Sequence, residues 1–415
     1  MSHPEASLSR SSESKFVRDG MGSTNLPRVA LIWSQFSAYH VDRCEAVAAR
    51  LAGKAEVDAV EVASSSKIYA WQPSRMPEGC VRRTLFPDTE FELIPRRKRL
   101  LAMLCVLWRC RMVCFGIGYH EPDVIVTAWI LRLLGVRVIM MTDSKFDDKR
   151  RSASYEYFKR LLLSAFHAAI VGGGTRHIAY SRFLGFRQRT VLAGYDTVGL
   201  DRIRAEAGQP LAPFGTPYLE RHFIYVGRFV AKKNLSGLIE GYAKYVAQAG
   251  PTARRLRMVG SGPIEQDLRN QIDRLGLAGK VEILGFQSSQ EVSRLMAGSL
   301  ALVLISKVEQ WGLVVNEALA VGLPVVVSNQ VGSREILVRN LTNGFVIAHN
   351  DTAALCAAML ELAADEPVWR AMVAGSHARA WLGDADRFSD AVEVLFDPGA
   401  EAAKRMAQSY LAELG

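Results

Sequence analysis

Short apolar runs, most of four to six residues and several built from valine and isoleucine, recur along the chain between longer stretches of helical period. That alternation leaves few folds open, because strands each followed by a helix pair in parallel and bury both faces of their sheet. In the first half the pattern predicts strands at 28–33, 57–62, 124–127, 136–142 and 168–172, with helices such as 40–51 and 155–166 between them. After a Gly-Tyr-Asp turn at 194–196, the polar, proline-bearing stretch 205–217 has the composition of an interdomain linker. The scheme then repeats. Strands are predicted at 223–226, 256–260, 281–285, 300–305 and 325–328, and helices at 235–249, 264–275, 290–297 and 313–321. Two more helical segments, 352–364 and 367–382, precede a helical tail at 384–414. The expected class is α/β, with two doubly wound domains (28–205 and 206–383) facing a central cleft. A disordered segment is expected at 1–27, and a tail, 384–415, that packs back on the first domain. Open sheets of this kind bind ligands at the carboxyl ends of their strands, so chemistry is sought there.

A chain of 415 residues is long enough for two or three separate cores, and 49% apolar with 22% charged residues excludes a mostly disordered polymer. The nearest approach to a membrane span, 100–118, is broken by Arg109 and Arg111. The first 27 residues lack the apolar stretch of a secretory signal, and the six cysteines form no Cys-x-x-Cys pair. A soluble cytoplasmic protein with reduced thiols is the expectation. Net charge is +9, and its placement says more than its size: residues 28–205 hold 28 basic and 17 acidic side chains, so the whole excess lies in the first half. That half should meet a negatively charged partner. Without a helix-turn-helix or RNA-binding signature the partner is not nucleic acid. The basic run Arg96-Arg97-Lys98-Arg99, followed by apolar residues to Trp108, instead points to peripheral contact with an anionic membrane, at the inner face of the plasma membrane.

The densest constellation of chemistry lies in the second half. Strand 223–226 runs into Gly227, Arg228 and, five residues on, Lys233; a planar fork and a point charge beside a glycine can hold a diphosphate. Gly260-Ser261-Gly262 makes a second turn at a strand end. The third element runs from Ser306 through Glu309 and Gly312 to Glu317. A helix opening at Gly312 points the amides of Leu313 and Val314 into the cleft, where an anion is favoured. Glu317, a turn inside an otherwise apolar helix, needs hydrogen-bond donors such as sugar hydroxyls. Eight helical positions separate Glu309 from Glu317 by about 12 Å, beyond the roughly 5–9.5 Å of a hydrolytic carboxylate pair. The spacing suits two contacts along one elongated ligand. Asp384-Ala-Asp386 reads as a helix cap, and no metal site is expected.

These pieces in this order, together with Val281 to Phe286, Gly322-Leu-Pro324 and Asn343-Gly344-Phe345, resemble the carboxyl-terminal domain of glycosyltransferase family 4 over residues 223–382. Its members are retaining, nucleotide-sugar-dependent enzymes of the two-domain, Rossmann-like GT-B architecture. The resemblance implies that Arg228 and Lys233, with Gly227, Gly260, Gly312, Leu313 and Val314 around them, bind the donor diphosphate. It further implies that Glu317 meets the ribose, Glu309 the donor sugar near its anomeric centre, and that the strand around Leu284 frames the base. It implies no cofactor and no metal: the nucleotide-diphosphate sugar is a co-substrate, and the acceptor is a carbohydrate or lipid-linked hydroxyl in surface-polysaccharide assembly. The first half matches less. Ser34-Gln35-Phe36-Ser37 stands where many members have a glycine-rich loop, and Thr142-Asp143-Ser144 where a histidine is usual. His40 and Asp143 are the candidates there for acceptor chemistry, with Lys145 and the Gly172–Gly174 turn at neighbouring strand ends. A GT-B epimerase and an inactive sugar-nucleotide-binding scaffold are the alternatives.

Overall fold

A computed structural model describes residues 26–67 and 74–399. Two parallel sheets organise them. The first contains β1 (Arg28–Trp33), β2 (Glu56–Ser65), β3 (Cys80–Glu90), β4 (Met112–Phe115), β5 (Arg137–Thr142), β6 (Ala168–Val171) and β7 (Val191–Ala193), in the order β3-β2-β1-β4-β5-β6-β7. The second contains β8 (Phe223–Val226), β9 (Leu256–Val259), β10 (Val281–Gly285), β11 (Ala301–Leu304), β12 (Val325–Ser328) and β13 (Gly344–Ile347), in the order β10-β9-β8-β11-β12-β13. Strands β4, β6, β11 and β12 are buried along their whole length, as a parallel sheet covered on both faces requires.

In each sheet the strand order reverses direction once, between β1 and β4 and between β8 and β11. Crevices outside the carboxyl ends at such reversals are where open α/β sheets take ligands. One face of the first sheet is covered by helices Ala38–Arg50 and Ala385–Phe396, which Arg50 and Lys54 tie together through Asp390 and Glu393 at 3.2 and 2.9 Å. The core behind that face continues without a break into the second domain. The other face holds a separate core under helices Arg96–Leu107, Pro122–Leu133 and the segments that follow.

Four local expectations need correction. Residues 124–127 lie in helix Pro122–Leu133, not in a strand: Pro122 fits the first helical turn and the apolar period of three to four continues to Leu133. The strand that fills this place is β4, hidden inside the apolar stretch 100–118. Strands β3, β7 and β13 were not expected; β3 is the first sheet's edge, with an alternating, half-exposed pattern that lacks an apolar run. The tail helix stops at Phe396, ahead of Pro398, which disfavours helix at the residue before it. The rest of the tail, from 400 on, and nearly all of segment 1–27 lie outside the described residues.

Candidate functional site

The loop after β8 is shaped by close backbone approach. Gly227 has φ 153°, and a Cβ there would sit 2.8 Å from Tyr225 Oη. Gly260, at φ 136° after β9, packs so tightly that a Cβ would lie 2.0 Å from the Gly227 carbonyl oxygen. These glycines press the two loops together; Gly260 shapes the floor and is not free to bear a side chain. The loop then passes exposed Arg228 and Lys232 to Lys233, whose side chain is largely buried. Asn234, in the left-handed region at φ 57°, reaches across to the Ile305 and His349 carbonyls at 3.3 and 2.6 Å, while the Lys307 amide donates to the Lys232 carbonyl at 2.8 Å. The β8 and β11 loops are thereby laced together over the strand reversal.

Their side chains meet. Lys233 Nζ donates to Glu309 Oε2 at 2.5 Å, and Ser306 Oγ donates to the same oxygen at 2.9 Å. Both charges are about nine-tenths buried, so the pair is held in place more firmly than a surface pair. Gly312, in the left-handed region at φ 95°, turns the chain into helix Leu313–Ala320. The first amides of that helix, Leu313 and Val314, have no carbonyl one turn back to bond. Trp311 Nε1 donates to Asn316 Oδ1 at 2.9 Å, and Asn316 Nδ2 donates across to the Asp196 carbonyl at 3.0 Å, which fixes the helix against the first domain.

The carboxyl ends of the first sheet face this assembly. Tyr39 donates to Glu317 Oε1 at 2.6 Å, Gln310 Nε2 donates to Asp143 Oδ1 at 3.1 Å, and the His177 ring contacts the Gln310 carbonyl at 3.0 Å. The three consecutive glycines after β6 are explained by the same closure. A Cβ on Gly172 would collide with the Asp196 carboxylate and crowd the Trp311 indole, one on Gly173 would collide with that indole, and one on Gly174 with the Glu335 carboxylate that Arg176 binds. The turn is therefore a docking surface for the second domain. Lys145 is fully buried and pairs with Asp147 and Asp148 at 3.2 and 2.9 Å, away from chemistry.

Burial sets the protonation of the acids. It pushes the Glu317 carboxyl up to about 7, opposed by the Tyr39 hydrogen bond and by Arg202. The Asp143 carboxyl rises to about 6 through burial, with the like charges of Asp148 and Glu309 adding and Lys232 opposing. Asp196, which sequence analysis passed over, rises to about 8 through burial and the neighbouring Asp143. His40 is held well below its ordinary value by burial and by Arg43. Its Nδ1 accepts from the Ser37 amide at 3.0 Å, and the ring stacks on Trp33 at 4.7 Å. This histidine caps helix Ala38–Arg50 and shapes the β1 loop.

The sequence candidates thus fall into two groups. Gly227, Lys233, Glu309, Gly312, Leu313, Val314 and Glu317 converge with Tyr39 and Asp143, and exposed Arg228 stands on the loop beside them. Leu284 stands on the edge strand β10, one residue before Gly285, whose carbonyl accepts from the Gly260 amide at 2.8 Å; its side chain lines a groove of about 770 Å³ with Arg257, Glu282 and Gln287, and none of the converging side chains lines that groove. Tyr39, Gln310 and Ser306 were missed as partners. Only the last two carried a signal, as members of the loop containing Glu309. Among the described residues no group of three or more His, Cys, Asp or Glu side chains has metal-binding geometry. No described helix is long and apolar enough to cross a membrane.

Comparison with known proteins bears on the fold and on the class of the second half. Residues 214–379 match the family model described as glycosyl transferases group 1. The N-acetyl-alpha-D-glucosaminyl L-malate synthase of Bacillus anthracis is 28% identical over 166 residues, which is 40% of this chain and 42% of the relative. The protein named "Putative colanic acid biosynthesis glycosyltransferase WcaL" in Salmonella typhimurium is 33% identical over 151 residues, 35% of this chain and 36% of the relative. The chain thus spans about two-fifths of the length of these curated relatives. In structure, Anabaena Alr3699/HepE in complex with UDP superposes with a TM-score of 0.66 at 17% identity, over 90% of this chain and 100% of the other. Sucrose-phosphate synthase from Thermosynechococcus elongatus superposes at 0.63 and 19% identity, over 90% and 98%. The fold is GT-B, and the match to the group 1 glycosyl transferases falls within its second half.

Proposed function

We propose that the chain is a retaining glycosyltransferase of family 4 that moves a sugar from a nucleoside-diphosphate donor to an acceptor hydroxyl in surface-polysaccharide assembly. The observation that carries the reading is the Lys233–Glu309 contact beneath the tip of helix Leu313–Ala320, set at the strand reversal and facing the first domain. Anabaena Alr3699/HepE, a neighbour of the same fold, has been solved in complex with UDP-glucose, which agrees with a nucleotide-sugar donor.

In this reading the donor diphosphate takes the ammonium of Lys233, with Arg228 and the Leu313 and Val314 amides around it. The sugar–phosphate bond breaks, and negative charge grows on the leaving oxygen where the cation and helix end are already oriented. The acceptor oxygen bonds to the anomeric carbon from the face the leaving group departs, and its proton passes to the released diphosphate. Products are the glycoside with unchanged anomeric configuration and the nucleoside diphosphate. Glu309, released from Lys233, accepts hydrogen bonds from the donor sugar; Glu317 exchanges Tyr39 for the ribose; Asp143 holds the acceptor hydroxyl. His40 is a positioning residue for the β1 loop. The charge on the diphosphate is met by side chains and a helix end, with no metal required. The acceptor is lipid-linked or a growing polysaccharide, and the site of action is the cytoplasmic face of the membrane.

Testing begins with a thermal-shift panel of nucleoside diphosphates on the purified protein, followed by release of the nucleotide from the matching sugar donor with candidate acceptors. Stabilisation by one diphosphate and acceptor-dependent release support the reading. Release with an epimerised sugar and no acceptor, or binding without turnover on any acceptor, rejects it.

A further inference from the structure

The helical layer on the outer side of the first sheet is apolar where a solvated layer should be polar. Of the 21 large apolar side chains exposed among the described residues, 12 fall between Leu101 and Phe183, on this one layer and the loops beside it. Helix Pro122–Leu133 buries Val124, Ile125, Ala128 and Leu131, yet presents Val126, Trp129 and Leu133 outward at intervals of three and four. A helix in water reserves that second stripe for polar residues. Helix Ala153–Leu162 repeats the arrangement: Tyr157, Phe158 and Leu161 are 66, 52 and 63% exposed, while its buried members are Glu156 and Lys159. The inversion has a physical cause. Glu156, Lys159, Arg151 and Tyr180 form an inward network, with Lys159 2.8 Å and the Tyr180 hydroxyl 2.7 Å from Glu156.

Cations frame the aromatic surface. Residues 145–189 contain ten basic and three acidic side chains. Each of the three acids already has a cation inside the fold: Asp147 and Asp148 at Lys145, Glu156 at Lys159. The exposed charge of the segment is therefore carried by Lys149, Arg150, Arg160, Arg182 and Arg187. Aromatic and leucine side chains standing beyond a rim of cations match a bilayer interface, with apolar groups at the acyl boundary and positive charge on anionic headgroups. The run Arg96–Arg99 fits this less well than its sequence suggested. Arg99 is buried, donates to Glu121 and Asp123 at 2.6 and 2.9 Å, and lies over the Phe91 ring.

We propose that this face, centred on helix Ala153–Leu162 and extended by Trp129 and Leu133, docks the protein on an anionic lipid bilayer. It also sets the acceptor class. Asp143, at the end of β5 in the cleft, is only three residues from exposed Phe146, which packs edge-on against Phe183 at 5.9 Å. The docking face thus begins at the first domain's lip of the cleft, so the acceptor is a hydroxyl carried on the headgroup of a membrane lipid. This last step rests on the transferase reading; the docking itself does not.

The test is co-sedimentation of the full-length protein with vesicles of phosphatidylcholine alone and of three parts phosphatidylcholine to one part phosphatidylglycerol, at low and at about 0.1 M salt. Binding is expected on the anionic vesicles only, weakened by salt. Replacing Phe158→Ser with Leu161→Ser should reduce the bound fraction by about tenfold or more, as should Arg150→Glu with Arg160→Glu. All four side chains are exposed, and unchanged thermal unfolding would establish that the variants fold. Absence of binding to either vesicle overturns the proposal. So does a concentration-dependent dimer that Phe158→Ser with Leu161→Ser dissolves, since the face would then be an interface between copies. Nucleotide affinity measured on the same samples keeps the two readings apart: intact affinity without vesicle binding rejects the docking face alone.

Discussion

Replacing Lys233→Ala probes the clamp on the diphosphate directly. Lys233 is about one-eighth exposed and meets Glu309 at 2.5 Å, so its ammonium acts in a partly desolvated setting. Truncating a desolvated charge contact of this kind costs about 2–3 kcal/mol of binding free energy, or roughly 30- to 150-fold in Kd. The substitution has a second effect that the structure makes separable. Without Lys233, the Glu309 carboxylate is still held by the Ser306 hydroxyl at 2.9 Å, but it faces the incoming diphosphate with no ammonium beside it. Part of the lost affinity is then repulsion from Glu309, so the double variant Lys233→Ala with Glu309→Gln should regain about tenfold over the single one. Isothermal titration with the preferred nucleoside diphosphate measures both values, below the melting range of each variant because breaking a buried pair also lowers stability. A Kd for Lys233→Ala within about twofold of the parent would refute the clamp. A double variant no better than the single one would refute the proposed exchange of partners.

Glu309→Gln alone should lower turnover far more than donor affinity, by about 100-fold against threefold or less, and a normal turnover number would remove its part in the reaction. Gly260→Ala forces a Cβ to 2.0 Å from the Gly227 carbonyl at a positive φ, so a loss of about 2–4 kcal/mol in chemical denaturation is expected, together with weakened nucleotide binding. Glu317 has its carboxyl raised from 4.5 to about 7, so the folded state holds a proton that the unfolded chain releases earlier. Its contribution is full below pH about 4.5 and is lost as pH rises through about 7. Glu317→Gln should therefore flatten part of the fall in stability over that window, to which Asp143, Asp196 and Asp384 also contribute; an unchanged slope would contradict the assignment.

The parallel sheets were legible because each buried strand is a short apolar run, and the second domain was legible in most of its strands for that reason. What the sequence concealed has particular causes. The apolar run at 124–127 has strand composition but helical neighbours, and only Pro122 betrays the helix start. Edge strand β3 carries Arg82, Arg83 and Asp88, so it lacks the apolar signal of an inner strand. The residues around Lys233 and Glu309 could be read from one stretch of chain each, whereas their contact partners could not. Tyr39 reaches Glu317 from 278 positions away, and Gln310 reaches Asp143 from 167. The Gly172–Gly174 turn resembled ligand chemistry, yet its glycines make room for Trp311 and Glu335 from the other domain. His40 likewise stood out by type, while its Nδ1 serves the helix start. Outward-facing Tyr157, Phe158 and Leu161 were indistinguishable from core residues until Glu156 and Lys159 were seen to point inward.

The central claim concerns where a diphosphate goes, and a crystal structure of the protein with its preferred nucleoside diphosphate measures that. The account predicts the β-phosphate in hydrogen-bond reach of Lys233 Nζ and of the Leu313 or Val314 amide, with Lys233 drawn off Glu309 and the ribose on Glu317 in place of Tyr39. A nucleotide seated elsewhere, in the groove beside Leu284 for example, with the Lys233–Glu309 pair still closed, would contradict it.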